Sequence, residues 1–427
     1  MMIQRLMFRS GWGLAGRSWK RHGRLSSGMI AWAAALVVVC FGGCDARTDR
    51  FPVNELHTKV VAYRSQGAST EGVADAIGPV IEGLFGTPDV PKLPAAIPAG
   101  LLDAANLERS AGAVSSDKAG VDFGLYRANC VVCHGLAGSG TGPAAGTQNP
   151  YPRDFRPGVF KYKSTPRESK PTKADLARLL DAGVAGTGMP SFVRLPQEDR
   201  DALVDYVIYL SIRGETERRL VELAIEGAGS DAKGLGVASL GVGESGRVAD
   251  EGVAAQVDEI VAAVAASWLA AKPIEVPAAP KSFLEDPVAA AERGKELFHG
   301  PLANCASCHG PSGDGNVATL DFDDWTKEFT TKLGLGVESD AIEGFLDAGG
   351  LKPRPIRPRK LAWGHFRGGE SDERLYRLLV SGIAGTPMPA LLVVEEGSTV
   401  GVTQEQLWDL VAYLKTFAGE GLDTKDN

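Results

Sequence analysis

The sequence predicts a mainly α fold in which one small domain is used twice, the two copies joined by a partly helical linker. Three observations point to it. The stretch LARLLDAGVAGTGMP at 176–190 aligns without a gap on LYRLLVSGIAGTPMP at 375–389, pairing Leu176 with Leu375, Arg178 with Arg377, Gly183 with Gly382, Thr187 with Thr386 and Met189 with Met388. Upstream of each lies one short block, ANCVVCHG at 128–135 and ANCASCHG at 303–310. Downstream of each comes an amphipathic run, LVDYVIYL at 203–210 and LVAYLKTF at 410–417. Three blocks in the same order mark a repeated domain more strongly than any one motif.

Residues 1–43 read as a signal peptide. Six basic residues and no acidic one precede the apolar run MIAWAAALVVVCFGG at 29–43. Fifteen residues of helix rise about 22 Å, short of the roughly 30 Å hydrocarbon core of a bilayer, so an export signal fits better than a span. The run ends in FGGC, which resembles a bacterial lipoprotein cleavage site with Cys44 as the lipid-bearing first residue. Cleavage without lipid and an uncleaved anchor are the alternatives; Cys40, preceded by Val39, fits less well. Removing the leader takes the net charge from −8 to −14. An acidic surface speaks against nucleic acid and for redox partners with basic docking surfaces, although a merely solvated acidic surface reads the charge equally well.

Residues 44–118 form a lead-in with weak amphipathic helices, ending in the proline-rich GTPDVPKLPAAIPAG, and carry no interpretable motif. The first copy spans 119–215 and the second 288–420. In each, a short helix (FGLYRANC or AAAERGKELF) leads into the cysteine block and a glycine-rich loop follows. A helix with leucines at i, i+3 and i+4 then starts at Thr172 or Ser371, with acids in its first turn, and stops at Gly183 or Gly382. The methionine lies on the next loop. A last helix carries Leu203, Val204 and Val207, or Leu407, Leu410 and Val411, on one face. His134 and Met189 are 55 positions apart, His309 and Met388 79, so the second copy holds 24 more residues, expected between Leu320 and Lys360. Residues 216–287 read as a Gly/Ala/Ser-rich linker. Its apolar run IVAAVAASWLAA at 260–271, bounded by Glu259 and Lys272, is too short to cross a bilayer and reads as a packed helix. Residues 421–427 are a polar tail.

Six cysteines occur, and four of them form two C-x-x-C-H sets: Cys130, Cys133 and His134, then Cys305, Cys308 and His309. That spacing is the attachment signature of haem c. Two thiols can add to the two vinyl groups of one haem, and the adjacent imidazole then falls beneath the ring. A zinc site would want a second C-x-x-C or paired histidines in the same copy, and a redox disulfide a βαβ setting; neither is present. Two covalently attached haem c groups are therefore expected, and export provides the compartment in which they are attached.

Apart from Met1, Met2, Met7 and Met29 in the leader, the chain has only Met189 and Met388. A methionine that fills a core gap sits within a helical run; these two sit on loops, each followed by proline. A thioether on such a loop can reach the far face of a haem held by histidine, and as a soft donor it favours ferrous iron. Gly186 to Gly188, or Gly385 to Pro387, supply the turn, and Pro190 or Pro389 stiffens its exit. His57, His299 and His365 are expected to be solvated or satisfied by neighbours, and His22 leaves with the leader.

With these motifs in place, each copy resembles a class I cytochrome c domain and the whole a tandem dihaem cytochrome c, over roughly 119–215 and 288–420. The resemblance implies a small helical fold around a largely buried haem with one exposed edge. It also implies a proline whose carbonyl accepts a hydrogen bond from the iron-bound histidine, a role Pro143 fits in the first copy and no proline fits in GPSGDGNVATL of the second. With both axial positions filled, the expected function is single-electron transfer on the periplasmic side of a membrane. The donor would be a quinol-oxidising complex or a dehydrogenase, and the acceptor a terminal oxidase or soluble carrier. A dihaem peroxidase with one open iron, and a haem subunit of a larger respiratory complex, are the rival readings.

Overall fold

The structure, a computed structural model, describes residues 50–116, 120, 122–226, 237–243, 248–317 and 321–420. The expected leader, Cys40, Cys44 and the tail 421–427 lie outside these residues. The described chain is mainly helical, and its sheet is one antiparallel pair, β1 (Ser115–Ser116) and β2 (Asp122–Phe123).

The segment ahead of the first copy is built into the core. Asn54 caps α1 (Glu55–Arg64) by accepting the His57 amide, and Asp103 caps α3 (Ala104–Ser110) by accepting that of Ala105. Val61 of α1, Ile77, Ile81 and Phe85 of α2 (Val73–Phe85), and Leu107 of α3 are buried in one cluster with Tyr126, Leu203 and Tyr206 of the first copy. The cysteine block occupies α4 (Leu125–Asn129) and α5 (Val131–His134). Thr172 and Asp175 close a capping box on α6 (Lys173–Ala182), each side chain bonding the other's backbone amide.

The final helix of the first copy, α7 (Gln197–Glu226), has 30 residues and runs through positions 215 and 216. The sequence places Leu203, Val204 and Val207 on one apolar face. The structure buries every residue from 202 to 214, because α1 to α3 cover the other face. Its buried carboxylates find partners on the lead-in segment, on α6 and within α7 itself. Asp205 accepts from the Asp103 amide at 3.1 Å, Asn106 Nδ2 at 2.9 Å and Lys173 Nζ at 2.6 Å. Glu217 accepts the Asn54 amide at 2.8 Å and pairs with Arg213 at 3.1 Å. Such pairing is what makes buried carboxylates tolerable.

In the linker, α8 (Glu251–Leu269) is long and apolar enough to cross a membrane by length and composition. Val257, Val261, Val264, Ala265 and Trp268 recur at helical spacing, are buried, and pack into the first core. After α9 (Lys281–Glu285), α10 (Pro287–His299) opens the second copy, with Pro287 in its first turn and Asp286 as cap, and α11 (Ala306–His309) carries the second cysteine block. The additional residues of the second copy hold α12 (Asp324–Lys327) and α13 (Ala341–Asp347), and α14 (Asp372–Ser381) and α15 (Gln404–Glu420) complete it. α10 crosses α15 at Gly294, where a Cβ would stand 1.9 Å from the Asp409 carbonyl oxygen. Only glycine lets the two backbones approach so closely.

The insertion in the second copy packs on the first half of the chain. Phe329, Ile342 and Phe345 form a core with Leu56 and Val60 of α1. Asp323 pairs with Lys161 at 2.8 Å and Glu328 with Arg218 at 3.0 Å. Arg354 donates to the carbonyls of Gln148 at 2.7 Å and Gly146 at 2.6 Å, and its guanidinium lies 4.0 Å from the Tyr151 ring centre.

Candidate haem sites

In the first copy one helical turn sets the C-x-x-C-H geometry: the amides of Cys133 and His134 both donate to the Cys130 carbonyl, at 3.1 and 2.8 Å. The chain leaves that turn at Gly135, with φ 71°, and returns beneath the histidine at Gly140, whose amide donates to the His134 carbonyl at 2.8 Å. His134 Nδ1 lies 2.9 Å from the Arg153 carbonyl oxygen. A carbonyl can only accept, so Nδ1 carries the proton and Nε2 keeps the lone pair a metal needs. The ring stacks on Phe155, centroids 4.5 Å apart, and burial holds its pKa below the ordinary imidazole value. It is a neutral, oriented donor.

Opposite these groups, the methionine loop closes on itself. The Val184 amide donates to the Met189 carbonyl at 3.0 Å, and Thr187 Oγ1 both donates to the Val184 carbonyl at 2.8 Å and accepts the Met189 amide at 3.1 Å. Gly183 is required at the helix end, since a Cβ there would fall 2.7 Å from the Pro190 carbonyl carbon. A cavity of about 1180 Å³, measured to its open mouth, is lined at once by Cys130, Cys133, His134 and Met189, with apolar walls from Leu176, Leu180, Phe160 and Val207. No disulfide joins Cys130 and Cys133, and before a haem is attached burial pushes the Cys130 thiol up to about 12. Two thiols and an imidazole with a thioether on one apolar cavity are the donor set a covalently held haem requires. Among the described residues no group of three or more His, Cys, Asp or Glu side chains could hold a bare metal ion.

The second copy repeats the turn at the histidine and the bonds that close the methionine loop. The His309 amide donates to the Cys305 carbonyl at 2.9 Å and the Gly315 amide to the His309 carbonyl at 2.8 Å. His309 Nδ1 lies 3.0 Å from the Arg359 carbonyl oxygen, and burial lowers its pKa. Ile383 donates to the Met388 carbonyl at 3.2 Å, and Thr386 Oγ1 bridges Ile383 and Met388 as Thr187 does in the first loop. Cys305 and Met388 pack against the same core, and burial pushes the Cys305 thiol up to about 11.

One expectation is corrected here. Neither Pro143 nor any other proline orients the histidine; the acceptors are the carbonyls of Arg153 and Arg359, each preceded by proline, at Pro152 and Pro358. The device is common to both copies although the acceptor lies 19 positions after His134 and 50 after His309, because the insertion falls between. Gly140 and Gly315 make it possible: a Cβ would meet the Pro152 or Pro358 carbonyl oxygen at 2.7 or 2.8 Å. Thr187 and Thr386 were visible as a matched pair, but their role in closing the loop was not.

The remaining histidines have other company. His57 is buried with Nε2 3.4 Å from Glu222, His365 lies 3.4 Å from Glu370, and both ring nitrogens of His299 face backbone carbonyls, of Lys295 and Pro311.

Comparison with known proteins agrees with this geometry. Residues 123–207 match the family described as cytochrome c oxidase, cbb3-type, subunit III, and residues 291–418 match the family described as cytochrome c. A solved chain of the reducing HAO-like protein complex of Kuenenia stuttgartiensis is similar at 20% identity, over 69% of this chain and 94% of that one, with a TM-score of 0.42, too low to carry an argument. No curated protein matches. The chain thus carries two cytochrome c domains in tandem, which support a dihaem class I cytochrome c and imply two covalently bound c-type haems. Haem-based electron transfer is the chemistry these domains indicate, and redox proteins are the partners they imply.

Proposed function

We propose that Cys130 and Cys133 hold one haem and Cys305 and Cys308 the other, that His134 with Met189 and His309 with Met388 are the axial ligands, and that the protein is an electron carrier rather than an enzyme. The observation that carries this reading is the single cavity onto which Cys130, Cys133, His134 and Met189 all open. When bound, the haem supplies a reversible one-electron iron couple. The protein's part is to orient a neutral imidazole through the Arg153 or Arg359 carbonyl, to present a soft donor on a self-closed loop, and to keep water from the ring with leucine and aromatic walls. Two protein donors per site leave no position for substrate, which supports outer-sphere transfer. We place the chain on the periplasmic side of a bacterial membrane, exported by residues 1–43 and held by lipid on Cys44. There it passes electrons from a quinol-oxidising complex or dehydrogenase to a terminal oxidase or soluble carrier.

The test is an optical and redox titration of the matured protein that follows the weak near-infrared band of methionine bound to ferric iron. Two haems with that band and no turnover of peroxide are the expected result. A haem without it, coupled to peroxide turnover, would replace the carrier with a peroxidase.

A further inference from the structure

We propose that Arg167 and Arg367 are reciprocal clamps, each copy fixing the loop that carries the other copy's methionine, and that Arg167 is the positioning residue for Met388. This rests on the reading of Met189 and Met388 as iron ligands. Arg167, in the loop before α6, donates from Nη1 to the Met388 carbonyl at 2.7 Å and from Nη2 to the Thr386 carbonyl at 2.8 Å. Arg367, in the loop before α14, donates from Nη2 to the Gly186 carbonyl at 3.2 Å. The guanidinium of Arg359 packs over the same glycine, close enough that a Cβ there would lie 3.0 Å from Nη1.

The repeat gives these contacts their meaning. Arg167 stands nine residues before Leu176, and Arg367 eight before its counterpart Leu375; Gly186 is the counterpart of Gly385, next to Thr386. An arginine one position out of register in the two copies therefore reaches the same loop of the other, close to the reciprocity of a two-fold contact. The clamps are unequal, two short bonds against one longer one.

What Arg167 grips is the turn itself. The Met388 carbonyl already accepts the Ile383 amide that closes the loop, so it receives one donor from its own copy and one from the other. A planar guanidinium spanning carbonyls two residues apart fixes the pitch of the turn, and with it the direction of the thioether, in a way a single-point ammonium cannot. Glu168 lies 3.9 Å from Arg167 Nε and is exposed, so the two carbonyls take its strong bonds. The fixed positive charge also favours reduced iron at that site.

The experiment uses the full-length protein with both haems attached, with imidazole as competing ligand and the near-infrared band as readout. Spectra of Met189→Ala and Met388→Ala tell the two irons apart. Arg167→Ala is expected to let imidazole take the second iron at about tenfold lower concentration, as loss of charge-assisted bonds implies, with the first iron unchanged. Arg367→Ala should do the reverse, with a smaller effect. Arg167→Lys, which keeps the charge and loses the fork, should retain the second haem's potential but not its resistance to imidazole. A second iron that exchanges as in wild type in both Arg167 variants overturns the clamp, and so does a lysine variant that restores everything. If Met388→Ala leaves the bands of both haems intact, it is the ligand assignment that has failed.

Discussion

In the first site Cys130 is 8% exposed, Cys133 is half-buried and His134 is stacked on an aromatic ring, whereas in the second Cys305 is half-buried and Cys308 exposed. Both sites carry the same turns, the same histidine-to-arginine carbonyl bond and the same threonine-closed methionine loop. The difference lies in what surrounds them. The first is enclosed by segments from outside its own copy: α1 to α3 cover its last helix, and Arg354 of the second copy holds the 146–151 wall. The second is closed mainly by its own α10 and α15. The frame of donors is therefore a property of the repeat, and the environment that tunes it a property of the whole chain. Deeper burial favours the less charged, reduced state, so the first haem is expected to be reduced first in a titration.

The largest effect that would probe this comparison is loss of a methionine. Met189→Ala or Met388→Ala should abolish the near-infrared band of one haem and lower its potential by roughly 150 mV, more than two decades at about 59 mV per tenfold, leaving the other haem in place. An equal fall in both potentials would mean that the sites are not independent frames. Next comes Gly294→Ala, which forces α10 off α15 and should destabilise the second copy by about 3 kcal/mol. Calorimetry resolving two transitions checks it, since only the later-numbered half should melt earlier.

Arg354→Ala removes two carbonyl bonds and the contact with Tyr151, and should cost about 2 kcal/mol. Its mark would be freer access of imidazole to the first iron and not the second, the opposite of the Arg167 effect. The smallest effect concerns His57. Burial lowers its pKa from 6.5, while Glu222 and Glu328 raise it and Arg218 opposes them. A depressed folded pKa means the unfolded chain binds the proton first. Stability is then fully present above about pH 6.5 and declines as pH falls below it, by at most about 1.4 kcal/mol per unit. Glu222, itself lowered by His57, adds a loss of the same sign at more acid pH. His57→Gln should flatten the upper part of that profile in urea unfolding curves.

The helical class and the two-fold repeat were legible in the sequence, and the eight proposed donor residues could be picked out there, because each depends on local spacing: one turn from Cys130 to His134, one loop from Gly183 to Pro190. The capping residue Thr172 and the stop at Gly183 were legible for the same reason. The histidine acceptors were not, because a backbone carbonyl leaves no trace in side-chain identity, and Pro143 was chosen on a proline that the fold does not use. Nor did the lead-in announce itself. Its apolar residues are scattered over short helices that acquire a face only against α7, whose own full burial was hidden by buried Asp205, Arg213 and Glu217. Sequence by itself determined the helical class, the repeat and how far apart the proposed haem donors stand along the chain. Tertiary structure decided which distant segments enclose each site, because long-range packing and carbonyl contacts such as those of Arg167 and Arg354 join residues some 200 positions apart, where no periodicity or spacing connects them.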